Sequence, residues 1–265
     1  MTPEPRPSAG SRPSPPPRER WFRRYAGHAP TVRLVCFPHA GGTASLYHGW
    51  RAHLPDHVEL LAVQYPGRQE RLGEPCVGTM EEMTERVLEA LTPHLDLPFV
   101  LFGHSMGAAV AHEVTRLLER DGPATPLHLY VSGRGPQHEA QRDNVPHLSE
   151  AEILRSVGEL SGPGFAAYDD PELRPLLLPP LLADYRLLNR HHVAGPALMR
   201  TPVTACGGDR DPVCSPGDLR EWRHCAENWS GVRMFPGDHF YLGQSERELV
   251  RIVAEDIDRA GGRNA

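Results

Sequence analysis

The run Gly103-His104-Ser105-Met106-Gly107 is the part of this chain best equipped for chemistry. It follows the apolar stretch Phe99-Val100-Leu101-Phe102 and precedes a helix-compatible stretch from Ala108 to Arg120. A strand, G-x-S-x-G and a helix, in that order, make a nucleophile elbow. Its serine sits on a strained turn with the hydroxyl lifted clear of the sheet. Glycines flank it because a Cβ there would meet the neighbouring strand or helix. Taken alone, the pattern also fits an ordinary Gly-rich turn. The strand before it and the helix after it favour the elbow.

A serine hydroxyl is not nucleophilic at neutral pH without a general base and a group to orient that base. Thr201-Pro202-Val203-Thr204-Ala205-Cys206 reads as a strand that runs into Gly207-Gly208-Asp209-Arg210-Asp211-Pro212-Val213. The short strand Val232-Arg233-Met234-Phe235 then runs into Pro236-Gly237-Asp238-His239-Phe240. Loops at one edge of a parallel sheet thus offer Ser105, an acid and His239 in the order Ser, acid, His. Fifteen histidines are present, most of which must be surface or core residues. His104 is expected to shape the elbow, and His191 and His192 to face solvent from an inserted segment. Between the acids, Asp211 is favoured because Pro212 keeps it extended. Asp209 and Asp238 are left to hold their loops through hydrogen bonds.

Acyl transfer also needs donors for the oxyanion of the tetrahedral intermediate. The backbone N–H of Met106 supplies one. The other is expected from Phe37-Pro38-His39-Ala40-Gly41-Gly42, with the N–H of Ala40 as the best donor.

These loops need a sheet to carry them. Val32–Phe37 and Val58–Val63 read as strands, and Thr79 to Leu91 as a helix opened by a capping box from Thr79 to Glu82. Leu127-His128-Leu129-Tyr130-Val131 is a further strand, and the last helix runs from about Ser245 to Arg259. Alternating strands and helices predict an α/β fold with a mostly parallel sheet covered by helices on both faces. The alternation stops between about 137 and 196. Ser149-Glu150-Ala151-Glu152 is a helix start there, Gly162-Pro163-Gly164 a break, and Leu173 to His191 a Leu-rich helix. This insertion is expected to be a helical lid over the catalytic edge, hinged at Gly162 and Gly164. Leu176, Leu177, Leu178, Leu181, Leu182, Leu187 and Leu188 would line an acyl pocket or pack the lid onto the core. Residues 1–20 carry seven prolines and few apolar groups. They are expected to form a disordered, PPII-biased tail, leaving 21–265 as one domain.

Composition narrows the chemistry. Net charge is −6 over 265 residues, which argues against nucleic-acid binding. All 28 basic residues are arginine, so Ser–Lys dyads, Schiff-base chemistry and the P-loop lysine are excluded. Five cysteines without C-x-x-C spacing make neither a disulfide framework nor a zinc site. Cys36 and Cys206 are expected as core residues. Neither a transmembrane run nor a signal-peptide core is present, so a cytoplasmic location without membrane partners is expected; the chain is expected to be a monomer.

Phe37-Pro38-His39-Ala40-Gly41-Gly42, Gln64-Tyr65-Pro66-Gly67-Arg68, the elbow and Pro236-Gly237-Asp238-His239-Phe240 together resemble the stand-alone type II thioesterases. Those enzymes, members of the α/β-hydrolase superfamily, serve polyketide synthases and nonribosomal peptide synthetases. The resemblance spans about Trp21 to Ile257. It departs at Asp238, where the family often has a second glycine. It implies hydrolysis of acyl groups from the phosphopantetheine arm of acyl or peptidyl carrier proteins, clearing stalled or mis-primed units. It implies no metal and no cofactor, since the phosphopantetheine belongs to the substrate. Carrier proteins are usually acidic, which makes Arg186 and Arg190 candidate docking residues. Rival readings are a general esterase or acyl-CoA hydrolase of the same fold, a product-releasing thioesterase, and a non-catalytic binder on a hydrolase scaffold. The last would usually have lost a triad member.

Overall fold

The computed structural model describes residues 19–136, 149–160, 165–191 and 198–260. The segment expected as a tail lies outside the described residues up to position 18. Glu19–Trp21 already form a short 3₁₀ turn. Trp21 is buried under the Arg71 guanidinium, 4.4 Å from the ring centroid, so Glu19 and Arg20, expected in the tail, belong to a turn that leads into the body.

Seven strands among the described residues form one sheet. In chain order they are β1 (Phe22–Tyr25), β2 (Val32–Phe37), β3 (Val58–Val63), β4 (Phe99–His104), β5 (His128–Ser132), β6 (Val203–Gly208) and β7 (Trp229–Phe235). Their spatial order is β1-β3-β2-β4-β5-β6-β7, with every neighbour parallel except β1, which runs antiparallel to β3. All residues of β2, β3, β4 and β6 are buried, as a sheet covered on both faces requires. Alternate residues point to opposite faces: Val35 and Phe37 join one core, and Leu34 and Cys36 the other.

Helices α1 (Met80–Leu91) and α2 (Met106–Asp121) cover the first face, and α7 (Glu246–Ala260) the second. Thr79 caps α1 by accepting from Glu82 N, at 3.2 Å. The predicted capping box is only half made, because Glu82 Oε2 accepts from Gly78 N rather than from Thr79. Cys36 and Cys206 are core residues, as expected.

The sequence reading missed β1. Its four residues, Phe-Arg-Arg-Tyr, carry two arginines and no apolar run. What holds it is the distant strand β3, including an ion pair from Arg24 to the fully buried Glu59. Arg33 Nε on β2 donates to the same carboxylate at 2.6 Å.

The insertion contributes α3 (Glu150–Glu159) and α4 (Arg174–Arg190). The helix start expected at Ser149 is made by a complete capping box: Ser149 N donates to Glu152 Oε2 at 2.7 Å, and Glu152 N to Ser149 Oγ at 3.4 Å. Helix α4 runs through Pro179 and Pro180. These lack N–H groups, so the carbonyls of Pro175 and Leu176 have no intrahelical donor; both residues are exposed. Gly162 and Gly164, expected as hinges, lie outside the described residues. Two short helices, α5 (Pro216–Arg220) and α6 (Tyr241–Gln244), complete the loops after β6 and β7. Among the described residues, no helix is long and apolar enough to cross a membrane.

Candidate active site

Ser105 stands between the end of β4 and the start of α2, with φ 54° and ψ −115°. A non-glycine residue pays for such a backbone in strain, which persists only where surroundings enforce it. Here Ser105 N donates to Ser132 O on β5 at 2.7 Å. The flanking glycines permit the packing. A Cβ on Gly103 would lie 2.1 Å from Gly107 O, and one on Gly107 would lie 2.0 Å from Phe37 O. The sharp turn leaves Met106 as the first residue of α2, so its N–H has no intrahelical acceptor.

The loops after β6 and β7 meet. His239 Nδ1 lies 2.8 Å from Asp211 Oδ2, with both side chains almost wholly enclosed. The other oxygen, Asp211 Oδ1, accepts from Val213 N at 3.0 Å and Cys214 N at 3.2 Å. The carboxylate is therefore fixed in orientation before it meets the imidazole. Asp209 has a different task. It accepts from Gly237 N at 2.9 Å and so ties the two loops together. Asp238 accepts from Phe240 N at 2.8 Å, closing a local turn beside His239. The loop roles expected of Asp209 and Asp238 are what their hydrogen bonds perform.

His104 is completely buried behind His239, with ring centroids 5.0 Å apart. Its Nδ1 is 2.9 Å from Ser132 Oγ, which in turn is 2.6 Å from Tyr241 OH. Burial, reinforced by His239 and His39, pulls its pKa well below the ordinary histidine value. His39 is only half-buried as a residue, yet its Nδ1 is sealed from solvent and its ring abuts Phe240 at 4.9 Å. Burial, with the neighbouring His239 and Arg68, lowers its pKa to about 3. Two neutral imidazoles therefore pack around His239.

Ser105, His239 and Ala40 share the wall of one cavity of about 340 Å³, together with Arg134, Tyr185 and Leu188. No hydrogen bond joins Ser105 to His239 among the described residues. In acyl-transfer sites that contact commonly tightens only when substrate binds. A larger cavity, about 540 Å³, lies between α1 and α2. It holds no nucleophile beside an oriented base, so geometry favours the smaller one. Its chemistry suits acyl transfer: a serine on a strained turn, and an imidazole with an anchored carboxylate behind it.

Residues 32–260 match the family described as the thioesterase domain. The chain belongs to the thioesterase family. It is 38% identical over 240 residues to the thioesterase PikA5 of Streptomyces venezuelae, covering 89% of this chain and 85% of that protein. Among solved structures it resembles RedJ, a thioesterase of the prodiginine pathway of Streptomyces coelicolor. That likeness has a TM-score of 0.77 at 36% identity and covers 95% of this chain and 91% of the other. It also resembles BorB, a type II thioesterase of the borrelidin cluster, with a TM-score of 0.76 at 33% identity over 90% of this chain and 98% of the other. The fold is accordingly that of an α/β-hydrolase, and the enzyme an acyl thioester hydrolase.

The structure corrects several expectations for this thioesterase. His191 does not face solvent. It is buried at the end of α4, with Nε2 3.5 Å from Glu113 Oε1 on α2, a partner that no local pattern announces. His192 lies outside the described residues. Of the leucines expected around an acyl pocket, Leu188 reaches the Ser105 cavity, Leu181 and Leu187 are buried, and Leu176 is exposed. Three residues were missed. Arg134 lies just past the carboxyl end of β5, where ligand-facing residues of open α/β sheets gather. Asp184 stands out as a carboxylate inside an apolar helix. Arg68 ends the run Gln64-Tyr65-Pro66-Gly67-Arg68, whose pattern assigns it no role, and it is the partner of Asp184.

Proposed function

We propose that this chain is a serine thioesterase that removes acyl groups from the phosphopantetheine arm of carrier proteins, in an editing role. The observation that carries this reading is the strained Ser105 on one cavity wall with the His239–Asp211 pair, in a chain of the thioesterase family. Ser105 Oγ attacks the thioester carbonyl carbon as His239 Nε2 takes its proton. The oxyanion is held by the N–H groups of Ala40 and Met106. The C–S bond then breaks, and His239 returns the proton to the departing thiol. Water, deprotonated by His239, attacks the acyl-enzyme, and the carboxylic acid leaves as Ser105 regains its proton. Asp211 holds the imidazole tautomer whose Nε2 is free to accept.

A carrier protein is far too large to enter a cavity of about 340 Å³, so its arm must thread in beneath α3 and α4. Ser156 and Leu160 from the α3 side, and Tyr185 and Leu188 from α4, line that passage. Arg186 and Arg190 are exposed on α4 and suit an acidic partner. Such docking would be weak and salt-sensitive. PikA5 and BorB, a named thioesterase and a named type II thioesterase, support this role. The test is turnover of acyl-carrier and acyl-pantetheine thioesters against matched oxygen esters, with wild type and Ser105→Ala. Thioester preference, abolished in the folded variant, is expected. Preference for oxygen esters, or turnover surviving in Ser105→Ala, would overturn it.

A further inference from the structure

Asp184 is the single carboxylate of α4 and is almost completely buried, together with Arg68. Its Oδ2 accepts from Arg68 Nη1 at 2.7 Å and its Oδ1 from Arg68 Nη2 at 3.0 Å, a bidentate pair across 116 residues of sequence. Oδ2 also accepts from the backbone N–H of Gly41, at 2.8 Å. Arg68 Nη1 reaches back to the same loop, donating to Gly42 O at 3.3 Å. The pair thus grips the two residues after Ala40, which lines the Ser105 cavity.

The loop geometry shows what that grip does. Gly42 N donates to His39 O at 2.9 Å. In a trans peptide, C=O and N–H point in opposite directions, so that bond aims the Ala40 N–H away from the loop interior. The next peptide plane, Ala40 to Gly41, is held by Asp184. Gly41 sits at φ +73°, one of the many backbone conformations open to glycine, so a fixed partner is needed to hold it there. The charge arrangement matters as well. A lone carboxylate here would oppose the negative charge that develops on the substrate oxygen. Arg68 neutralises it while leaving Oδ2 able to accept.

We infer that Asp184, paired with Arg68, is a positioning residue that sets the Ala40 oxyanion donor, making the inserted helix α4 part of the catalytic apparatus rather than a detachable cover. This rests on the reading of Ser105 as nucleophile and Ala40 N–H as oxyanion donor. Removing an oxyanion donor outright costs about 10²–10³-fold, and displacing one about an ångström costs up to roughly 10²-fold.

The experiment uses the full chain with Asp184→Ala, Asp184→Asn and Arg68→Lys, each checked for folding by thermal midpoint. Three quantities are measured: kcat and KM for an acyl-pantetheine thioester, affinity for an acyl trifluoromethyl ketone, and affinity for the matched non-hydrolysable amide. The ketone adds to the serine as a tetrahedral oxyanion, whereas the amide reports ground-state binding. For Asp184→Ala, kcat and ketone affinity should fall together by about 10- to 100-fold, with KM and amide affinity nearly unchanged. Asp184→Asn keeps one acceptor for Gly41 N–H and should lose less. Arg68→Lys keeps the charge without the fork, so it should move the same way even if Asp184→Ala fails to fold. Folded variants with wild-type kcat and ketone affinity would overturn the inference, as would equal losses for ketone and amide. A wild type inactive on thioesters would overturn the functional reading beneath it.

Discussion

Replacing Asp211 by Asn tests the orientation of the base. In the native site Asp211 Oδ1 takes two backbone N–H groups, at 3.0 and 3.2 Å, while Oδ2 faces His239 Nδ1 at 2.8 Å. An asparagine has one acceptor oxygen and one NH₂ group to serve both sides. If its oxygen faced His239, its NH₂ would confront the N–H groups of Val213 and Cys214, leaving buried donors opposed. The favoured rotamer keeps oxygen on those amides and turns NH₂ toward His239. The imidazole must then accept at Nδ1, which places its proton on Nε2, the atom meant to take the proton of Ser105. The same change in a serine-protease triad lowers kcat about 10⁴-fold, and similar geometry warrants a similar loss here. At 1.36 kcal/mol per tenfold, that is about 5 kcal/mol of transition-state stabilisation. Asp209→Asn is the matched control. Its Oδ1 still accepts from Gly237 N, and its ion pair with Arg210 is exposed, so kcat should stay within about threefold of wild type. Thiol release from an acyl-pantetheine thioester, alongside thermal midpoints, reads both variants. A folded Asp211→Asn enzyme within tenfold of wild type, or a greater loss in Asp209→Asn, would refute the reasoning.

Gly107→Ala should cost more than about 2 kcal/mol of stability, because its Cβ would sit 2.0 Å from a backbone oxygen that cannot swing away; chemical denaturation measures it. Stability should also fall with acid. Burial holds His39 at about 3, His104 well below the usual value and His128 at about 4, whereas the unfolded chain titrates near 6.5. Below pH 6.5 the unfolded state gains protons that the folded state refuses. The stabilisation is therefore complete above that pH and lost as pH falls toward the folded-state values, by up to about 1.4 kcal/mol per unit for each group. Thermal midpoints should drop from pH 7 to pH 5, and His128→Gln should flatten the drop; a level profile in wild type contradicts this. Deleting residues 1–18 should leave midpoint and turnover unchanged, and a lower midpoint would mean that this segment docks on the body.

Much of the site was legible from local patterns. A run such as Phe99–Phe102 can bury both faces only inside a covered sheet, and the glycines around Ser105, set between that strand and a helix, favour the elbow over an ordinary turn. Chain order then put Asp211 and His239 at the same sheet edge, because strands that run parallel present their carboxyl-end loops together. Even the preference for Asp211 over Asp209 followed from Pro212. Other features were settled by contacts between residues far apart in sequence. Strand β1 exists because β3 offers it an edge, and Glu59 and Glu70 offer charges to Arg24 and Arg23. His191 is buried because Glu113, on another helix, lies beside it. Asp184 reads as an anomaly in a leucine-rich helix until folding brings it within 2.7 Å of Arg68. Periodicity and backbone sterics act over a few residues and can be read from the chain directly. The partner of a buried charge is chosen by packing, which no local pattern specifies.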